Sequence, residues 1–151
     1  MARLAPLEAE VFVALQRAAD LLQRDLARLL RAYGLTPATY NVLRILRGAG
    51  PAGLPCGEIG TRLIQRDPDV TRLLDRMEKE GWIARERSQQ DRRVVVACIG
   101  KTGLALVNRL DQPVNARHGE TLGRLGEKPL AALRRALAAV VESFSEAGAS
   151  K

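Results

Sequence analysis

The chain is poor in the residues that most sharply mark catalytic and metal-binding proteins. Of its 151 residues only two are cysteine and one is histidine. Cys56 and Cys98 are too few for a disulfide framework and lack metal-ligand spacing, and His118 has no second histidine with which to build a zinc set. The same scarcity removes nucleophiles activated by histidine, and there is no GxSxG, no phosphate-cradling glycine loop and no HExxH. The chain is therefore expected not to be an enzyme and to carry no cofactor and no metal. Aromatic residues make up 3%, and long runs of β-branched residues are absent outside Val94 to Ile99, so a mostly helical protein is expected. No continuous apolar run reaches the roughly 18 residues of a membrane span. The opening MARLAPLEAEVF has no basic region followed by an apolar run and a cleavage site. A cytoplasmic protein without a membrane partner is expected.

Alanine, leucine and arginine fill the space these absences leave. The formal net charge is +7, which favours a polyanionic partner. The cations are nearly all arginine, suited to bidentate phosphate and guanine contacts, although genomic base composition gives the same bias. The length suits a single unit over residues 1–151 with extensions at both ends.

Apolar positions from Leu7 to Tyr33 keep helical spacing with no internal glycine or proline, which predicts a helix about 40 Å long. Gly34 ends it, and Thr36-Pro37 starts a second helix to about Arg47. GAGPAG, residues 48–53, reads as a loop. A short third helix from Cys56 to about Ile64 follows, then the turn Gln65-Arg66-Asp67. Next comes a helix with marked ends: Asp67 as cap, Pro68 at its first position and Gly81 at its stop, with Val70, Leu73, Leu74 and Met77 forming one apolar stripe. Two short helices joined by a tight turn make a helix-turn-helix. Beyond Gly81, the segments 82–87 and 93–99 read as strands around a polar tip, 88–92, with Trp82 anchoring the start of this hairpin in the core. Helical spacing returns from Lys101, with Pro113 expected to kink or interrupt it, and a last helix covers about Pro129 to Ser145. The fold class is mostly α with a small β-hairpin wing: a winged helix-turn-helix over 36–100, flanked by dimerisation helices in 1–35 and 101–151.

The marked helix is fixed along its stripe and turns polar groups the other way, and a major groove accepts such a helix. Arg72, near its N-terminus, can present a fork to guanine O6 and N7. Its ordinary alternative is a surface pair with Asp69, Asp75 or Glu78. Thr71 and Asp69 can each contribute to a base or phosphate contact or merely favour the helix start electrostatically, and for Asp69 the second reading is preferred. Arg66, Arg76 and Lys79 are assigned to phosphates. At the hairpin, Arg92 and Arg93 suit a narrow A·T minor groove, and Asp91 is expected to hold one of these arginines extended through a bidentate contact. Cys56 opens a helix whose dipole can lower a thiol pKa, but with no partner cysteine nearby an inert half-buried thiol is the preferred reading. The terminal helices are more apolar than solvent tolerates, and Leu7, Val11, Leu15, Leu133, Leu137, Val140 and Phe144 are expected to pair two copies. Their reading helices would then stand about 34 to 36 Å apart, the separation of successive major grooves.

These motifs resemble the MarR family of bacterial transcriptional regulators. The resemblance covers nearly the whole chain and is carried by LTPATYNVLRIL (35–46), DVTRLLDRMEKEGWI (69–83), DRR with the strand that follows (91–99) and GKTGLAL (100–106). It implies a winged-helix homodimer with intertwined terminal helices, a recognition helix in the major groove and a wing arginine in the minor groove. By this likeness Thr71 and Arg72 take recognition-helix positions, and Asp91 and Arg93 take the wing motif of an acid two residues before an arginine. Two features depart from the family pattern. Gly100 stands where a threonine-type cap is usual, and the first helix lacks the reactive cysteine of oxidant-sensing members. Members often bind phenolic or other small aromatic ligands. The expected function is a repressor on double-stranded DNA at a palindromic operator, released by a small-molecule effector. The alternatives are a winged-helix protein-interaction module and a ligand-binding stress protein.

Overall fold

The computed structural model describes residues 6–149, with side chains to residue 145. The chain divides into two units, one ending at Asp111 and one beginning at Gln112. The first unit opens with α1, Leu7–Arg31, whose Glu8 and Glu10 stand in the first turn and Arg28 and Arg31 in the last, each complementing the helix dipole. A tight turn returns the Leu35 N–H to the Leu30 carbonyl at 3.2 Å. Helix α2, Pro37–Ala49, then starts from a reciprocal cap. The Thr39 N–H donates to Thr36 Oγ1 at 3.2 Å, and the Thr36 N–H donates to Thr39 Oγ1 at 2.8 Å.

The GAGPAG segment is more ordered than its composition suggests. Gly48 and Ala49 extend α2, and Gly50–Ala52 form a short 3-10 turn. Gly53 has φ +65, and a Cβ there would stand 2.3 Å from the Ala97 carbonyl oxygen and 2.5 Å from Cys98 Sγ. This close passage brings Leu54–Pro55 (β1) alongside β3, Val95–Ile99, so the hairpin expected from the sequence is in fact a three-stranded antiparallel sheet ordered β1-β3-β2. Strand β2, Ile83–Arg87, pairs with β3 from Ile83 opposite Ile99 to Arg87 opposite Val95.

Helix α3 is Cys56–Arg62, ending before the expected Ile64 because Leu63 is extended and buried. Helix α4 is Val70–Lys79. Its cap is Asp69 rather than Asp67: the Asp69 carboxylate accepts the Arg72 N–H at 3.1 Å, while Asp67 accepts the Asp69 N–H at 2.8 Å. Asp67 closes its own turn around Pro68, and the helix begins where the apolar stripe begins. Leu73, Leu74 and Met77 are buried and Val70 half-buried. The stop at Gly81, φ +73, is as expected. The Gly81 N–H donates to the Glu78 carbonyl at 2.9 Å and the Trp82 N–H to the Met77 carbonyl at 3.0 Å, the two bonds of a Schellman ending.

Trp82 is half-buried, and Ile83, at 3% exposure, fills the core position expected of Trp82. What Trp82 contributes is backbone: its carbonyl accepts the Gly100 N–H at 2.8 Å. A Cβ at Gly100 would lie 3.0 Å from the Gly81 carbonyl oxygen, and one at Gly103 2.2 Å from the Trp82 carbonyl oxygen. The missing threonine at position 100 thus has a steric reason, since the wing's base runs against the start of α5. Helix α5, Lys101–Thr121, carries Pro113 inside it without interruption. The fully buried Leu30, Leu43, Leu46, Ile59, Met77, Ala97 and Leu110 unite α1 to α5 and the sheet in one core. In the second unit a 3-10 turn, Leu122–Leu125, leads into α6, Glu127–Ala149.

Candidate nucleic-acid interface

On α4 the residues opposite the stripe, Thr71, Arg72, Asp75, Arg76 and Lys79, are all exposed, as are Arg66 and Asp69 before them. Arg72 is 87% exposed, and its Nε lies 3.2 Å from Asp69 Oδ2. The surface pair allowed by helical spacing is therefore present, but so exposed a pair is held weakly and gives way readily to a stronger acceptor. No ion pair engages Arg66, Arg76 or Lys79 among the described residues.

The acids on the same helix are occupied from the sheet. Arg85, on β2, donates from Nη2 to Asp75 Oδ1 at 2.6 Å and to Glu78 Oε2 at 2.7 Å, and from Nε to Glu78 Oε2 at 3.1 Å. The Arg85 backbone N–H adds a bond to Glu78 Oε1 at 3.1 Å. The bonds from Arg85 hold the Glu78 carboxyl below its usual range against the opposing effect of desolvation, and the two carboxylates raise the Arg85 pKa. The arrangement locks α4 to the first strand of the wing, and the single positive charge of Arg85 offsets part of the negative charge of the two carboxylates on that helix. Sequence reasoning did not single out Arg85. Its partners stand seven and ten positions away on a different element, and only the packing of β2 on α4 brings them together.

The wing tip is organised by its own backbone. The Ser88 N–H donates to the Val94 carbonyl at 2.8 Å and the Val94 N–H to the Asp91 carbonyl at 2.9 Å. Ser88 Oγ accepts from the Gln90 N–H at 3.2 Å. Arg87 Nη1 donates to the Arg92 carbonyl at 2.9 Å. The bidentate hold expected of Asp91 on an arginine side chain is absent: Asp91 Oδ1 accepts the Arg93 backbone N–H at 3.0 Å, because a carboxylate two residues ahead in a tight turn reaches the amide before the guanidinium. Asp91 thus shapes the loop, while the exposed side chains of Arg92 and Arg93 have no ion pair among the described residues.

Neither cysteine adds chemistry to this surface. Burial is the leading effect on Cys56 and pushes its thiol up, away from the thiolate that redox reactivity needs. The Cys98 thiol donates to the Pro51 carbonyl at 3.6 Å. Of the residues expected to pair two copies, Leu7, Val11, Leu137, Val140 and Phe144 are exposed, and Leu15 and Leu133 are half-buried. Among the described residues no helix is long and apolar enough to cross a membrane.

Residues 33–94, from the end of the α1 turn through the wing tip, match the profile described as MarR family. The chain is 33% identical to a MarR transcription factor from Planctomyces limnophilus, over 89% of this chain and 98% of that one, with a TM-score of 0.69. It is 29% identical to the transcriptional repressor CouR, solved bound to a 23-mer DNA duplex, over 96% and 99% of the two chains, with a TM-score of 0.74. It is also 31% identical over 115 residues to the transcriptional activatory protein BadR of Rhodopseudomonas palustris, covering 75% of this chain and 66% of that protein.

Proposed function

The chain belongs to the MarR family of DNA-binding transcriptional regulators, and we propose that it works as a homodimeric repressor that occupies a palindromic promoter site and is released by a small-molecule effector, aromatic by family likeness. The observation that carries the reading is the joining of two readers into one piece. Helix α4 offers Thr71 and Arg72 to base edges in the major groove, with Arg66, Arg76 and Lys79 reaching phosphates. The wing offers Arg92 and Arg93 to the minor groove, shaped by Asp91. Arg85 holds helix and wing together. The likeness to CouR over nearly the full length of both chains supports repression. The exposed apolar residues Leu7, Val11, Leu137, Val140 and Phe144 support pairing of two copies.

Selection of duplexes from a random-sequence library by the purified protein tests this reading. The expected product is an inverted repeat with half-sites one helical turn apart, about 10 base pairs centre to centre. Its affinity should fall steeply with salt, since each neutralised phosphate releases counterions. Recovery of no preferred sequence, or of single unrepeated half-sites, would overturn the reading.

A further inference from the structure

The first unit ends at Asp111, and the chain leaves it along a helix with a weak point, because Pro113 has no N–H to give to the Arg109 carbonyl. The turn just before that point is tied down from two sides. From the last turn of α2, Arg47 donates through Nη1 to Asn108 Oδ1 at 2.9 Å and to Asp111 Oδ2 at 2.8 Å, and through Nη2 to Asp111 Oδ1 at 3.0 Å. One planar guanidinium thus grips two residues three positions apart on α5, bidentate to the second. Between them, Arg109 lies over the Tyr33 ring at 5.8 Å from its centroid, tying the same turn to the turn that follows α1. Arg47 is 29% exposed at its side chain, enough out of water for the fork to hold its geometry. The winged helix therefore holds the last turn of α5 before the proline, the turn at which the first unit ends.

We propose that this clasp of Arg47 on Asn108 and Asp111 fixes the half-site separation the protein accepts, making Arg47 and Asp111 positioning residues for operator spacing although neither belongs to the reading surface. The inference rests on the two-copy reading above. A dimer gains its avidity only when both heads reach their half-sites together, and a stiff joint confines that gain to one separation. A loose joint spreads it over several.

The test uses the duplex selected by the wild-type protein and a series with one or two base pairs inserted between or removed from its half-sites. Each step turns one half-site by about 34° and moves it by about 3.4 Å. Wild-type affinity should drop about tenfold or more for a single step. Asp111→Asn and Arg47→Gln should keep the affinity for an isolated half-site but lose only about two- to threefold per step. The exchanged pair Arg47→Asp with Asp111→Arg should restore a steep profile, which separates the clasp from a general loss of structure. Steep and superimposable profiles for wild type and variants would overturn the clasp inference and leave the dimer reading standing. A flat wild-type profile would overturn the two-site reading, and the clasp inference with it.

Discussion

Asp69 does two things with its two carboxylate oxygens. Oδ1 caps α4 by accepting the Arg72 N–H, and Oδ2 meets the Arg72 guanidinium. The first role needs an oxygen, and the second needs a charge. An amide in place of the carboxylate keeps the cap, since asparagine and aspartate cap about equally well, and releases the Arg72 side chain. Asp69→Asn should therefore leave the melting temperature near wild type while tightening binding to the selected duplex in a fluorescence anisotropy titration. Asp69→Ala should instead cost about 0.5 to 2 kcal/mol of stability through the lost cap. If Asp69→Asn binds no more tightly, the pair does not restrain Arg72. Arg72→Ala should cost about 1 to 3 kcal/mol at one base pair of each half-site, read as a relaxed preference in competition binding. A uniform loss on every sequence would assign Arg72 to the phosphates. At this scale the sequence showed which residues face outward, because Leu73, Leu74 and Met77 had to face inward. It could not show that Asp69 rather than Asp67 caps the helix, since both acids stand within reach of a helix start and only the turn around Pro68 decides between them.

At the scale of elements, the clamp of Arg85 on Asp75 and Glu78 is what turns a helix and a hairpin into one surface. Arg85→Ala should free the wing and leave both carboxylates unpaired. Water screens the half-exposed acids, so the stability cost should be about 1 kcal/mol, at the upper end for exposed ion pairs. DNA affinity should fall further than that, and hydroxyl-radical footprints should lose protection at the minor groove before the major groove. Equal weakening of both protections would mean that the wing holds its place without the clamp. The lowered pKa values of Glu78 and Asp111 also give stability a pH dependence. Each carboxylate stabilises the fold fully above its ordinary value of about 4. That contribution is lost as pH falls through the lower folded values, so urea midpoints should decline there, and the decline should be shallower in Arg85→Ala. Helices α1, α2, α4 and α6 were readable because each has a periodic apolar face or marked ends. Strand β1 was not: Leu54–Pro55 is two residues long, and its pairing depends on Gly53 passing against Ala97 and Cys98, a contact 44 positions away in the chain. The clamp was hidden for the same reason, being a tertiary pairing with no local signature.

At the scale of the whole molecule, exposed apolar side chains on α1 and α6 stand out among the described residues. Phe12 and Leu7 on α1 and Val141 and Phe144 on α6 are each more than 60% exposed, and such side chains do not stay open to water without cost. A glutamate at Val140 should abolish dimers in sedimentation equilibrium. The same variant should lower affinity for the full palindrome by about a hundredfold or more while leaving half-site affinity in place, because only avidity is lost. Dimers that persist in Val140→Glu would move the interface away from this part of α6. If these surfaces close only on a second copy, the amount of competent regulator varies with the square of chain concentration wherever the dimer is dilute. Halving the chain by growth and division would then cut promoter occupancy by more than half. On that reading the exposed apolar residues of α1 and α6 would make abundance itself an input to promoter occupancy.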